Sequence, residues 1–149
     1  MRKSIGTRAL SLLLVCISLF SLCMVSFSAS AEDGIEPYFN NLISASNSFR
    51  ISSTGKMTVT NSYDGIPKVT IKAVITTYVE KKTLGLFWTR VDIGTTDNQW
   101  VDTIYNYTYA GSHSFQLSSK GTYRVTTKFE IFGTGGLPDE FIVQKEETY

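Results

Sequence analysis

The stretch Ser118-Ser119-Lys120-Gly121-Thr122-Tyr123-Arg124-Val125-Thr126-Thr127-Lys128-Phe129-Glu130-Ile131 decides the fold. A polar turn containing Gly121 leads into a regular alternation of side chains. One face of the alternation is mostly apolar and consists of Tyr123, Val125, Thr127, Phe129 and Ile131. The other face is polar and consists of Thr122, Arg124, Thr126, Lys128 and Glu130. Because successive side chains of a strand point to opposite faces, this period of two predicts a β-strand with one buried and one wet face.

The same stretch resembles the turn-into-strand segment of immunoglobulin-like sandwiches. In those domains a tyrosine near the start of the strand bonds through its hydroxyl to the preceding corner. Gly121 and Tyr123 fit that pattern. Ser119 stands where antibody domains usually have Asp, and Val125 stands where they have Cys. The resemblance therefore implies a sandwich that lacks the antibody disulfide.

Further strand patterns lie on both sides of this stretch and are separated by turn residues. They cover residues 38–53, 56–62, 68–80, 86–94, 99–109, 114–117 and 140–145. The segment from Lys68 to Glu80 is apolar on one face and partly apolar on the other, which predicts a central strand. Its apolar face, which we expect to be buried, carries Val69, Ile71, Ala73, Ile75 and Val79. We predict an all-β fold, an antiparallel immunoglobulin-like β-sandwich of seven to eight strands, preceded by a signal peptide helix.

The N-terminal segment has the three parts of a secretory signal peptide. Basic residues at the start precede an apolar run from Ala9 to Phe20, and Ala29-Ser30-Ala31 forms a small-residue exit. We expect cleavage after Ala31, which would leave a single β-sandwich domain over residues 32–149, secreted and without a membrane span. An uncleaved anchor is the alternative, but the short apolar run and the small-residue exit argue against it.

Charge and cysteine content limit the classes of partner. Cys16 and Cys23 both precede the expected cleavage point, so the exported chain would carry neither a disulfide nor a thiol. Removing Arg2, Lys3 and Arg8 from the 14 basic residues leaves 11 against 13 acidic ones, a net charge near −2. This balance argues against a nucleic-acid partner and gives no basic stripe for an anionic membrane surface. We expect a monomer without a cofactor.

The order of parts is similar to a group of small secreted proteins of Gram-positive bacteria that form an uncharacterised domain family. The similarity lies in four short motifs: Ser52-Ser53-Thr54-Gly55-Lys56, Val69-x-Ile71 with Tyr78-x-x-Lys81, Trp88-Thr89-x-Val91, and Ser119-Lys120-Gly121-Thr122-Tyr123-Arg124-Val125. The resemblance implies export and the sandwich fold. It implies no activity, and it transfers no site residues.

Residues for nucleophilic catalysis are few. His113 is the one histidine, and it lies between Ser112 and Ser114. Adjacent residues of a strand point to opposite faces, so the two serines would not meet the imidazole. We predict a solvated loop histidine, with a pH-sensing role as the alternative. No catalytic residues are assigned, and the chain is predicted not to be an enzyme.

Acidic residues and glycines offer weaker alternatives. Asp92, Asp97 and Asp102 recur at intervals of five around one turn and could bring oxygen ligands together for calcium, although they also suit turn formation. Asp102 and Glu130 could pair for glycoside hydrolysis, a choice made only by elimination. The glycine-rich run at 133–136 lacks the following helix that phosphate loops use. We assign no metal site.

Aromatic residues form the one pattern with functional shape. Five of them lie on two strands that we expect to be neighbours: Trp88, Trp100, Tyr105, Tyr107 and Tyr109. Side chains two apart on a strand share a face, so the three tyrosines would form a row that could stack on sugar rings or anchor a protein. The alternative is that the row packs in the core or pairs across strands.

These observations favour a non-catalytic binding or cell-surface-associated module. Its candidate partners are a cell-wall glycan or an extracellular protein. The alternative is a secreted toxin or antimicrobial protein that acts on neighbouring cells, and a secreted hydrolase comes third.

Overall fold

The computed structural model describes residues 39–149, which contain eight β-strands and one 3-10 turn. The predicted signal peptide over residues 1–31, with its helix and cleavage point, lies outside the described residues. The 3-10 turn is Thr96–Asn98, and the strands are β1 (Leu42–Ile51), β2 (Lys56–Gly65), β3 (Thr70–Thr83), β4 (Phe87–Arg90), β5 (Gln99–Ile104), β6 (Thr108–Gln116), β7 (Thr122–Gly133) and β8 (Asp139–Thr148).

The strands form two antiparallel sheets. The first has the order β1-β2-β6, and the second has the order β4-β3-β7-β8, with β5 also paired to β3. Both β4 and β5 use the same edge of β3, one after the other along its length. In immunoglobulin-like sandwiches strands A, B and E share one sheet and C, F and G the other. Strands β1, β2 and β6 and strands β3, β7 and β8 occupy these places, so the predicted immunoglobulin-like sandwich is confirmed.

Strand β7 lies between β3 and β8 at the centre of the second sheet. The face predicted to be buried is buried at every position from Tyr123 to Ile131. The hydroxyl of Tyr123 donates a hydrogen bond of 2.6 Å to the carbonyl oxygen of Ser119. This bond ties the strand to the turn that precedes it, as the resemblance to immunoglobulin-like domains implies.

The apolar core consists of two clusters, each built from both sheets. One surrounds Met57 and Val125, and the other surrounds Tyr63 and Phe129. Each fully buried side chain of this size contributes about 1.5–3 kcal/mol. Residues 39–149 contain no cysteine and therefore no disulfide, so these two clusters pack the sheets together without a covalent cross-link.

A buried layer of polar side chains is linked by hydrogen bonds across the sandwich. The amide of Asn47 donates to the carbonyl oxygen of Asn61 at 2.7 Å and to the hydroxyl of Thr127 at 3.0 Å. The amide of Asn61 donates to Thr77 at 2.9 Å, and the Thr77 and Thr127 hydroxyls are 3.1 Å apart. These bonds offset part of the loss of hydration of the four side chains, with Oδ1 of Asn47 left without a partner, and they join β1, β2, β3 and β7.

Strand β3 and the β5–β6 region differ from the sequence patterns. Ile71 was expected on the buried face of its strand with Ala73, but it is exposed, because the register of β3 against β7 shifts between Thr70 and Lys72. Thr70 is buried instead, and its hydroxyl bonds to the carbonyl oxygen of Asn41. Secondly, the expected strand 99–109 is two elements, the strand β5 and the start of β6. Among residues 39–149, no helix has the length and apolar character needed to cross a bilayer.

Candidate functional site

The three tyrosines do not form the single row that the sequence pattern predicts. Strand β5 ends at Ile104, and β6 begins at Thr108, so Tyr105 and Tyr107 lie in the connection and only Tyr109 lies on a strand. The side chain of Asn106 causes the break, since its amide oxygen accepts a 2.8 Å hydrogen bond from the backbone N–H of Tyr107. The chain turns there and crosses from the second sheet to the first.

The five aromatic residues also lie at different parts of the sandwich. Trp88 is on β4, opposite Lys82 near the C-terminal end of β3. Tyr105 follows the residue that pairs with Ala73, near the other end of β3, and it is exposed together with Tyr107. Ten residues of strand separate Lys82 from Lys72, which corresponds to about 33 Å. Trp88 and the two exposed tyrosines therefore cannot contact one ring of a ligand together.

Trp88 belongs instead to a cluster of charged and aromatic side chains on the outer face of the second sheet. We call this cluster the Trp88 face; it consists of Tyr78, Glu80, Lys82, Trp88, Arg90 and Arg124. The members on β3 alternate with Thr77 and Val79, which are buried. The strand pairing places Glu80 opposite both Arg90 and Arg124, and Lys82 opposite Trp88. All six side chains therefore lie on the side that faces away from the core.

Cations lie against both aromatic rings of the Trp88 face. The guanidinium carbon of Arg124 is 4.3 Å from the centre of the Trp88 ring, and the ammonium of Lys82 is 5.4 Å from it. The guanidinium carbon of Arg90 is 3.5 Å from the centre of the Tyr78 ring. Each such contact contributes about 0.5–1 kcal/mol at an exposed site. The contacts hold the rings in fixed positions across the sheet.

One carboxylate orients the central arginine of the Trp88 face. The Nε and Nη2 atoms of Arg124 both donate to Oε2 of Glu80, at 3.0 and 2.7 Å. Glu80 is the one acidic member of the face, against Lys82, Arg90 and Arg124, and Glu146 borders the face on β8, opposite Arg124. The face is therefore cationic as a whole, and it combines a flat indole ring with donors suited to carboxylate or phosphate.

Trp100 lies in a second cluster, which we call the inter-sheet cluster: Trp100, Asp102, Tyr109 and His113. This cluster lies where β5 of the second sheet faces β6 of the first. His113 was expected to be a solvated loop residue, but it lies on β6 and is half-buried. Its Nε2 atom is 2.8 Å from Oδ2 of Asp102, and its ring stacks on Trp100 with centres 4.9 Å apart. The sequence could not show this contact because the residues belong to different sheets.

Tyr109 completes the inter-sheet cluster. Burial raises the pKa of Tyr109 above the ordinary value of 10.0, and the nearby carboxylate of Asp102 raises it further. The Tyr109 ring stacks on Tyr63, with centres 6.2 Å apart. The hydroxyl of Tyr63 donates to the carbonyl oxygen of Asn106 at 2.6 Å. Three of the five predicted residues, Trp88, Trp100 and Tyr109, thus pack against protein groups over part of their surface.

The inter-sheet cluster contains a histidine and carboxylate pair, an arrangement that can orient a general base. The serines beside His113 point to the opposite face of β6. Ser112 and Ser114 lie 2.8 Å and 3.1 Å from the hydroxyls of Thr60 and Thr58. They therefore do not contact the imidazole, as the alternation of strand side chains predicts.

The acidic alternatives are not brought together. Asp102 pairs with His113, whereas Asp92 accepts a 2.9 Å hydrogen bond from the backbone N–H of Gly94. In the part of the chain that the structure describes, no group of three or more His, Cys, Asp or Glu side chains is placed to hold a metal ion. Asp102 pairs with buried Ile75 and Glu130 pairs with Val74, so the two carboxylates lie on opposite faces of the sheet. They cannot act as a glycosidase pair.

The cationic part of the Trp88 face was missed in the sequence, although one signal could have revealed it. Leu84 and Gly85 are the central residues of a turn, and the first strand pair is Thr83 with Phe87, so three residues, 84–86, connect β3 and β4. The length of a hairpin connection fixes the register of the strands that it joins, and this register brings Lys82 beside Trp88 and Glu80 beside Arg90. The contribution of Arg124 depends on the pairing of β3 with β7, which no local pattern specifies.

No protein-family model matches the chain, and no curated protein matches it either.

Proposed function

We propose that the protein is an exported, non-catalytic binding module that attaches to the bacterial cell surface through the Trp88 face. The observation that carries this proposal is the contact of Arg124 with Trp88, 4.3 Å from guanidinium carbon to ring centre, beside exposed Arg90 and Lys82. Export rests on the signal peptide pattern of residues 1–31. The binding module acts as a monomer and without a cofactor.

The chemistry of the Trp88 face favours an anionic glycan as the ligand. A half-exposed indole with a guanidinium carbon 4.3 Å from its ring centre offers a flat surface for the apolar face of a sugar ring. Arg90 and Lys82 flank that surface and can donate to phosphate or carboxylate groups on the same polymer. A neutral glycan would use only the first of these contacts, so we expect the module to prefer a charged wall polymer.

The test is retention on purified cell walls, with and without their anionic polymers. Trp88→Ala should weaken retention about tenfold or more, as loss of a central aromatic contact does elsewhere. Tyr105→Ala is the matched control, since it removes an exposed aromatic ring at the opposite end of β3. Circular dichroism and thermal melting of both variants establish that they are folded. Wild-type protein that passes through both wall preparations, or equal retention of Trp88→Ala, would refute the proposal.

A second candidate is a secreted protein that damages neighbouring cells. The observation that favours it is the exposure of three large apolar residues at one hairpin, Leu84, Leu86 and Phe87. This candidate predicts leakage of a small dye from intact bacteria exposed to the purified protein. Intact cells after such exposure count against it.

A further inference from the structure

The hairpin between β3 and β4 has a turn whose backbone does not suit its first residue. Leu84 and Gly85 have φ values of 52° and 69°, and the backbone N–H of Leu86 donates to the carbonyl oxygen of Thr83 at 3.1 Å. Positive φ at both central positions is typical of a type I′ turn, which favours Asn followed by Gly. Gly85 fits, whereas leucine is disfavoured there. The choice of leucine is therefore not explained by folding of the hairpin.

The same turn exposes apolar surface to an unusual degree. Leu84, Leu86 and Phe87 are 85%, 76% and 64% exposed, within a run of four residues. Isolated exposed apolar residues are normal, but several together indicate a surface that is covered in function. We call residues 84–87 the hairpin tip. Residues 84–86 of the tip lie beyond the paired part of β3 and β4, which ends at Thr83 and Phe87.

Basic side chains surround the base of the hairpin tip. Lys81 and Lys82 lie on β3, and Arg90 lies on β4. Lys120 is exposed in the turn before β7, which is held at the same end of the sandwich by a 2.7 Å bond from Lys81 to Ser119. Glu80, the acidic residue of the adjoining strands, is paired with Arg124.

Other acidic residues at this end are farther from the tip. Glu146 and Glu147 lie on β8, which is separated from β3 by β7. The positive charges are therefore the ones nearest to the apolar tip.

The depth of these groups matches a membrane interface. At about 3.3 Å per residue along a strand, Lys82 and Trp88 lie roughly 7 Å below the turn. Apolar groups of interfacial proteins enter a bilayer by about 5–10 Å, with basic residues and tryptophan at the level of the headgroups. From this combination we propose that the hairpin tip inserts into the interface of a lipid bilayer with anionic headgroups.

In this arrangement Leu84, Leu86 and Phe87 enter the acyl boundary. Lys81, Lys82 and Lys120 contact the headgroup phosphates, and Trp88 lies at the headgroup level. The inference goes beyond the proposed attachment to wall polymers and does not depend on it, because it names a different partner and a different set of contacts.

The experiment measures whether the protein floats together with lipid vesicles. The protein is expressed in a bacterium and used in the form that the bacterium exports. Phosphatidylcholine vesicles containing about one third phosphatidylglycerol are compared with phosphatidylcholine alone. We expect binding to the anionic vesicles, weakened by added salt. Leu84→Asn should reduce that binding about tenfold or more, because it removes one of three inserted side chains. Asn suits the turn, so the variant should melt at the same temperature as the wild type or higher.

The matched control is Leu137→Ser. Leu137 is 84% exposed, like Leu84, but it lies in the connection between β7 and β8 at the opposite end of the second sheet. Its replacement should leave vesicle binding unchanged. Lys81→Gln combined with Lys82→Gln should reduce binding to anionic vesicles and make it less sensitive to salt.

Several outcomes would overturn the inference. These are no flotation of the wild type, equal flotation of Leu84→Asn, or an equal loss in Leu137→Ser. Equal binding to neutral vesicles would overturn the assignment to anionic headgroups. A dimer that Leu84→Asn dissociates, without vesicle binding, would show that a second copy covers the tip. Leu84→Asn should not change retention on cell walls, so failure here is separable from failure of the proposed function.

Discussion

The imidazole ring of His113 lies against the indole ring of Trp100, with ring centres 4.9 Å apart and planes within 5° of parallel. The edge of the same imidazole bonds to the carboxylate of Asp102 at 2.8 Å. These two contacts join β6 of the first sheet to β5 of the second. They close one edge of the sandwich, and β1 and β8 lie against each other at the opposite edge.

Replacing His113 should therefore weaken the join between the sheets. We expect His113→Ala to lower the free energy of unfolding by about 1–2 kcal/mol, because it removes one stacked contact and one hydrogen bond. Urea unfolding followed by tryptophan fluorescence measures the change. Ser112→Ala is the control and should change stability by less than about 0.5 kcal/mol, since its side chain is exposed on the other face. Equal stability of the two variants would contradict this role.

The bond from Tyr123 to Ser119 gives a second prediction. Tyr123→Phe removes the hydroxyl while keeping the buried ring, so unfolding should become easier by about 1 kcal/mol. Chemical denaturation is the measurement. Tyr105→Phe, which alters an exposed tyrosine in the connection after β5, should leave the midpoint unchanged. A Tyr123→Phe protein as stable as the wild type would show that the bond from Tyr123 to Ser119 does not stabilise the fold.

The buried polar layer gives a third prediction. Asn61→Ala removes the acceptor of the 2.7 Å bond from Asn47 and the donor to Thr77. We expect a loss of about 2–3 kcal/mol, because buried polar groups are left without partners. Thr60→Ala, one residue earlier and on the outer face, should lose less than about 1 kcal/mol. Comparable losses in the two variants would argue against an energetic role for the layer.

The features of the fold that the sequence predicts correctly are the local ones. The alternation from Tyr123 to Ile131 is set by a strand period of two, and Gly121 with Tyr123 is a motif within three residues. The structure confirms both the buried face of β7 and the bond from Tyr123 to the turn that precedes it. Ile71 was placed on the wrong face because a shift of register arises from pairing with β7, which its own neighbours do not encode.

The candidate site was predicted less well than the fold for the same reason. Trp88 was identified as an aromatic residue on a strand, but its contact with Arg124 joins residues 36 positions apart through the β3–β7 pairing. The prediction of a tyrosine row was wrong because the chain turns at Asn106, whose side chain bonds to the backbone of Tyr107. The alternation of residue types continues through this turn and therefore gives no sign of it. Sequence alone therefore supplied the aromatic residues, and the pairing of the sheets supplied their charged partners.

Tyr109 leads to a prediction about alkaline pH. Its pKa in the folded protein is raised, first by burial and then by the charge of Asp102 and a hydrogen bond to it. The unfolded tyrosine has an ordinary pKa of about 10. Because the folded state holds the proton more tightly, the stabilisation from protonated Tyr109 is fully present below pH 10. It is lost as the pH rises from about 10 through the raised value.

Replacement of Tyr109 should therefore reduce the alkaline loss of stability. The free energy of unfolding of the wild type should fall as the pH is raised above about 10, and that of Tyr109→Phe should fall less steeply over the same range. Some decline should persist, since burial also raises the pKa of Tyr63. Urea denaturation at a series of pH values measures both curves. Tyr105→Phe should follow the wild type, and a Tyr109→Phe curve parallel to the wild type would show that ionisation of Tyr109 is not coupled to folding.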